Sequence, residues 1–133
     1  MPKHGGSLDT NVLLRLVLAD IPKQYLSARA LFDSGMILNI SDIVLIETVY
    51  ALNGYYSVPR DKIYKTIQNL ATNQNLQINI AVFEPALKMY SKRPALSVED
   101  CYLVSLASNR NMLPLWTFDK KLALQSNGQA KIL

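Results

Sequence analysis

Apolar positions along this chain come in short runs, and their spacing switches between the period of a helix and that of a strand. Residues 7–9 read as the end of a short first strand. Residues 10–19 (Thr-Asn-Val-Leu-Leu-Arg-Leu-Val-Leu-Ala) read as a mostly apolar helix. Pro22 suits the first turn of a second helix that runs to about Ser34, where Gly35 stops it. The short apolar run Met36 to Ile40 predicts a buried strand. Ser41 and Asp42 are favourable capping residues for a helix that follows to about Asn53. Pro59 opens a further helix over 59–71, and Leu76 to Ile80 alternates as a strand does. Residues 84–92 and 97–110 read as two helices broken at Pro94. Leu113 to Phe118 reads as an apolar strand with Trp116 in the core. Asp119 to Leu124 then forms a short helix and Ala130 to Leu133 a last strand.

Strands separated by helices of this length imply parallel crossovers, hence an α/β sheet with helices on both faces. In such folds the chemistry gathers beyond the carboxyl ends of the strands. A length of 133 residues is one domain's worth, and no repeat, linker or low-complexity tract divides it. Residues 7–133 are taken as that domain. Met1 to Gly6 lack the apolar run of a signal peptide and are taken as a leader or an appended remnant. No apolar stretch approaches the roughly 20 residues of a membrane span.

Composition narrows the chemistry. With 50% hydrophobic and 18% charged residues, the chain has the balance of a folded globule. One cysteine, Cys101, permits no internal disulfide, which fits a reducing cytoplasm; it reads as a small buried residue rather than a nucleophile. The one histidine, His4, lies in the leader, so a zinc site or a Ser–His or Cys–His pair in the folded body is excluded. Any enzyme here must work with carboxylates. A net charge of +4 is compatible with a polyanionic partner and equally with an ordinary basic protein.

Four acids stand out by position. Asp9 and Asp119 each directly follow a strand, at the expected active edge, where an Asp is also a common helix N-cap. Glu47 lies within the 42–53 helix, with Ile43, Val44, Tyr50 and Ala51 as its neighbours three and four positions away. A carboxylate on an apolar face caps something, reaches out to solvent or faces a metal. Asp100 shares a helix face with Val104 and Ala107, while Glu99 points towards Leu103 and Leu106; the pattern leaves open which of the two is the solvated one. Four converging carboxylates would repel one another, and a divalent cation resolves the repulsion. All-oxygen ligation suits Mg²⁺ or Mn²⁺, and such ions activate water for phosphodiester cleavage with no histidine needed.

These segments resemble the PIN-domain family. The stretch Ser-Leu-Asp9-Thr10-Asn11-Val-Leu-Leu-Arg15 resembles the family's opening. The stretches Ser41-Asp42-Ile-Val-Leu-Ile-Glu47, Ser97-Val-Glu99-Asp100-Cys-Tyr and Leu-Trp-Thr117-Phe-Asp119-Lys-Lys-Leu122 resemble its later acidic segments, in order over about residues 7–133. The resemblance is nearest to VapC-type toxins. It assigns Asp9, Glu47, Asp100 and Asp119 to the acidic positions, choosing Asp100 over Glu99, and Thr10, Asn11 and Thr117 to polar positions beside the metal. It implies an α/β/α sandwich around a central parallel sheet, Mg²⁺- or Mn²⁺-dependent RNA cleavage, a homodimer and a cognate antitoxin. The family often has a further acid where this chain has Ser97, which puts a second metal in doubt.

Arg15, Lys120 and Lys121 lie near the acids in sequence and are candidates for phosphate contacts, against the bland reading of surface cations. Lys88, Lys92 and Arg93 recur at helical spacing and carry the same two readings. The Tyr50–Tyr56 stretch suits either core packing or a dimer or antitoxin surface. An Asp-nucleophile phosphotransferase would want a second Asp two residues after the first, where this chain has Asn11. The alternative from another class is a PIN fold that no longer cleaves and acts as a protein- or RNA-binding module; retention of all four acids weighs against it.

Overall fold

A computed structural model describes residues 3–133, in which all strand pairing is parallel and most residues are helical. The α/β class therefore stands as expected. The chain divides into two compact units, the first ending at Asn79 and the second running from Ile80 to Leu133.

The first unit holds β1 (His4–Ser7), α1 (Thr10–Leu18), α2 (Pro22–Asp33), β2 (Ile37–Asn39), α3 (Asp42–Gly54), α4 (Arg60–Ala71) and β3 (Leu76–Gln77). Its sheet order is β1-β2-β3, with Ser7 opposite Asn39 and Leu38 opposite Leu76. Parallel neighbours cannot be joined by a tight turn, so helix pairs make both crossovers. Local chemistry sets where these helices stop and start. Ala19 takes a left-handed conformation, φ 52°, and its N–H donates to the Arg15 carbonyl to close α1. Pro22 opens α2, and Gly35, φ 76°, turns the chain into β2. Leu13, Leu38, Leu45, Val49, Leu52, Ile63 and Ile67 are fully buried and form this unit's core. Helix α3 is apolar almost all round, yet only one face is buried. The Thr48 hydroxyl on that face donates to the Val44 carbonyl, so no polar atom there is left unpaired.

The second unit holds α5 (Ile80–Lys92), α6 (Val98–Asn109), β4 (Leu115–Thr117), α7 (Lys120–Gln125) and β5 (Ala130–Ile132). Strands β4 and β5 pair in parallel, Leu115 opposite Ala130 and Thr117 opposite Ile132. Phe83, Leu87, Leu96 and Val104 are buried where α5 packs on α6, and the Phe83 and Tyr102 rings lie 5.3 Å apart. The buried Ser105 hydroxyl donates to the Val82 carbonyl.

Three expectations change. The strand expected over 76–80 is only Leu76–Gln77, because α5 begins at Ile80 rather than at 84. Pro85 then sits inside the helix, where it lacks the N–H that would pair with Ala81; burial of Val82 and Phe83 outweighs that loss. Trp116 is not core. It is 58% exposed, because strand alternation turns it away from Leu115 and Thr117, and Phe118 is 80% exposed. An uninterrupted apolar run does not reveal which face is covered. Lastly, the first strand occupies His4–Ser7 rather than ending at 9; His4 and Gly6, which the leader expectation covers, lie opposite Ile37 and Leu38 of β2, with Gly5 at an irregularity between them. The rest of the leader expectation, residues 1 and 2, lies outside the described residues.

Gly5 gives this placement a test. A Cβ there would meet Met36 Cβ at 2.7 Å and Leu38 Cδ2 at 2.9 Å. Gly5→Ala should lower stability by about 1–3 kcal/mol through overpacking. An unchanged urea midpoint would show that residues 4–6 do not pack as β1. In the second unit, Phe83→Ala should cost about 3–5 kcal/mol, read from the same kind of unfolding curve.

Candidate active site

Chain geometry alone places the first acid. Strand β1 ends at Ser7, buried Leu8 donates its N–H to the Asn39 carbonyl, and Asp9 begins α1. Asp9 has extended backbone angles, and its Oδ1 accepts from the Val12 N–H at 3.0 Å. It is thus an N-cap, supplying an acceptor to a helix end that otherwise lacks one. Its second oxygen takes no hydrogen bond from the described residues.

Thr10, the first residue of α1, donates its hydroxyl to Glu47 Oε2 at 2.9 Å. One residue after Asp9, the chain therefore holds the second acid. The structure also resolves what an acid is doing on the apolar helix α3. Glu47 is exposed, and so are Ile43 at 64% and Tyr50 at 69%, so the face it shares with them is not a core face. Asn11 is exposed and, with Asp9 and Arg15, borders a cleft of about 480 Å³ between α1 and α2.

Arg15, a candidate phosphate contact, is engaged elsewhere. Its Nη2 donates to the Tyr56 hydroxyl at 2.9 Å, and its Nε lies 3.3 Å from Asp20 Oδ1. The Nε is buried and the carboxylate sits off its hydrogen-bonding direction, so the pair is an ion pair without a hydrogen bond. The Arg15 side chain is 12% exposed.

In the second unit, Asp100 is the third residue of α6. Its Oδ2 accepts from the Ser97 N–H at 3.2 Å, while Ser97 Oγ accepts from the Asp100 N–H at 3.1 Å. This reciprocal capping box locks the carboxylate in place. It also separates Asp100, half-buried, from exposed Glu99. Ser97, notable in the sequence only as a missing acid, is the residue that positions Asp100. Asp119 caps α7: Oδ1 accepts from the Lys121 and Leu122 N–H groups at 2.9 and 3.3 Å, and the Asp119 N–H donates to Thr117 Oγ1 at 2.9 Å. Lys120 and Lys121 are exposed on the first turn of α7 and hold no ion pair among the described residues.

The units thus divide the ten expected residues. The first holds Asp9, Thr10, Asn11, Arg15 and Glu47; the second holds Asp100, Thr117, Asp119, Lys120 and Lys121. Among the described residues, no group of three or more His, Cys, Asp or Glu side chains is gathered so as to hold a metal. The donor chemistry nevertheless suits a hard cation. All four acids offer oxygen, and each commits one oxygen to its local anchor while the other takes no hydrogen bond from the described residues. A Mg²⁺-class ion needs only one or two carboxylates and otherwise keeps its water.

Residues that line the cleft from α2, among them Lys23, Gln24 and Ser27, carried no signal in the sequence. They are ordinary polar residues on an ordinary amphipathic helix, and only the packing of α1 on α2 gives them a common space.

No helix among the described residues is long and apolar enough to cross a membrane. No curated protein matches the chain. The model of the PIN domain matches residues 7–126, a span that contains Asp9, Glu47, Asp100 and Asp119. PIN domains are generally nucleases that bind RNA and use divalent metals. With most of its length so matched, the chain belongs to the PIN domain family.

Proposed function

We propose that this chain is a Mg²⁺- or Mn²⁺-dependent endoribonuclease and the toxin of a toxin–antitoxin pair. The observation that carries the nuclease reading is the common state of the four acids. Asp9, Glu47, Asp100 and Asp119 are each oriented by a hydrogen bond through one oxygen, with the other left for a ligand. Pre-oriented groups lose little freedom on binding, which is what a metal-holding carboxylate requires.

In this reading Asp9, Asp100 and Asp119 would hold the cation, and Glu47 would bind it through water or orient the attacking water. Bound there, such an ion would supply a nucleophilic water at neutral pH and offset charge on the phosphate. The Thr10 hydroxyl fixes the Glu47 carboxylate, so Thr10 is a positioning residue. Thr117 does the same for the Asp119 backbone. Asn11 is a polar neighbour of the site. Lys120 and Lys121 attract the RNA backbone; Arg15, neutralised by Asp20, contributes less of that attraction.

The toxin role, the antitoxin, the homodimer and a cytoplasmic setting rest on the resemblance to VapC-type toxins. Exposed apolar residues support a protein partner. Tyr50 and Tyr55, at 69% and 83% exposed, flank a recess of about 490 Å³ that also involves Leu14 and Tyr56. Such a patch suits either the antitoxin or a second copy.

Asp9→Asn and Asp100→Asn should each lower cleavage of total cellular RNA in Mn²⁺ by roughly a hundredfold or more, and chelator should abolish it in the parent. Asn can accept the same capping hydrogen bonds, so both variants should unfold at a urea concentration close to the parent's. Equal cleavage by parent and variants would overturn the assignment of these acids.

A further inference from the structure

Helices α1 and α2 are packed against each other, yet they leave a cleft of about 480 Å³ beside Asp9. Its floor is apolar, formed by Val12, Ala28 and Leu31, and the small side chain of Ala28 leaves the room. Its rim is polar, with Asn11 from α1 and Lys23, Gln24 and Ser27 from α2. Gln24, Ser27, Ala28 and Leu31 follow one another at helical spacing, so one face of α2 supplies a whole wall.

The state of these polar groups is informative. The Asn11 and Gln24 amides take part in no hydrogen bond among the described residues, so each keeps a donor and an acceptor for a ligand. The two cations beside the cleft differ. Arg15 is paired with Asp20, whereas Lys23 is exposed and holds no ion pair among the described residues. Both walls are helices whose main-chain groups are paired internally, so an extended peptide would find no backbone partners here.

We propose that this cleft is a nucleotide subsite for single-stranded RNA, receiving the base next to the phosphate that is cut. A nucleobase has apolar faces and a hydrogen-bonding edge. The floor of Val12, Ala28 and Leu31 covers its face, the Gln24 and Asn11 amides meet its edge, and Lys23 pairs with the adjoining phosphate. The volume lies in the range of small-molecule sites. Because Asp9 stands on the rim, a base seated here carries its phosphate towards that carboxylate. The subsite deepens the nuclease reading, on which its place beside the cut phosphate rests.

The test separates binding from cleavage. Affinities for a set of fluorescent pentaribonucleotides differing at one position are measured in chelator, for the parent, Lys23→Ala, Gln24→Ala and Ser27→Trp. Circular dichroism of each variant checks that the exposed helix α2 stays folded. Ser27→Trp, which fills the cleft, should weaken binding about tenfold or more. Lys23→Ala should weaken all sequences alike and reduce the log–log salt slope by about 0.7, the value for one phosphate of a single strand. Gln24→Ala should compress the spread between preferred and disfavoured bases by about fivefold or more. Equal affinity of the parent and a folded Ser27→Trp variant, or no RNA binding by the parent, would overturn the subsite. A peptide or a second copy as the true occupant would give the first of those results. Cleavage in Mn²⁺ is read alongside. Binding that follows the pattern without any cleavage would sink the nuclease reading and leave the subsite. Cleavage by all four proteins with the same products would sink the subsite and leave the nuclease.

Discussion

The first turn of a helix carries backbone N–H groups with no partner inside the helix, and that deficit organises this molecule's acidic residues. Asp9 meets it at α1, Asp119 at α7, and Ser97 with Asp100 at α6. Helices α1 and α7 each start just past the carboxyl end of a strand, β1 and β4, whereas α6 follows α5. The capping requirement therefore does two things together. It terminates the loop at a defined residue, and it fixes a carboxylate in direction as well as position. The partial positive charge of a helix start also favours a negative side chain there. Glu47 is the exception that completes the set. It sits within α3 and is fixed by the hydroxyl of Thr10, the residue immediately after a capping Asp.

A residue pattern shows periods and punctuation well, and much of this fold follows from them. The limits of α1, α2, α3, α4, α6 and α7 fall within a residue or two of where Pro22, Gly35, Ser41, Pro59, Ser97 and Asp119 place them. The start of α5 does not, because its first turn is held by the burial of Val82 and Phe83, which is a tertiary effect. Trp116 was misplaced for a related reason: a three-residue strand offers too few alternations to show which side is covered. Among the acids, Asp9 and Asp119 were legible as caps and as candidate ligands, with nothing local to separate the two. Periodicity alone did not rank Glu99 against Asp100; the resemblance chose Asp100, whose carboxylate the capping box anchors while Glu99 is exposed. The contact of Thr10 with Glu47 spans 37 positions, and no local pattern encodes a pairing of that separation.

Capping and metal binding are often weighed as rival explanations of an Asp at a helix start. Here they are compatible, since a carboxylate has two oxygens and the caps use one. Asp9 and Asp119 accept through Oδ1, and Asp100 through Oδ2. The anchor also removes much of the side chain's rotational freedom before any ligand arrives. The same hydrogen bond thus stabilises the helix and leaves the second oxygen in a fixed direction. A side chain that only solvated a surface would have no comparable restraint, as exposed Glu99 illustrates by taking no hydrogen bond among the described residues.

The basic residues follow a different logic, and it shows in how their charge is disposed. Arg15 lies near the last turn of α1, where its guanidinium reaches Asp20 beyond the helix end and the Tyr56 hydroxyl after α3. Two partners on separate segments make it a tie between the close of one helix and the close of another. Its planar, multiply donating head suits that task better than an ammonium would. With Arg15 so engaged, Lys23 is the cleft-lining cation that stands exposed and holds no ion pair among the described residues. A tied cation and an exposed one therefore border the same cleft. Sequence proximity to Asp9 made Arg15 a candidate for phosphate contact, and the geometry shows its guanidinium already paired with Asp20 and the Tyr56 hydroxyl.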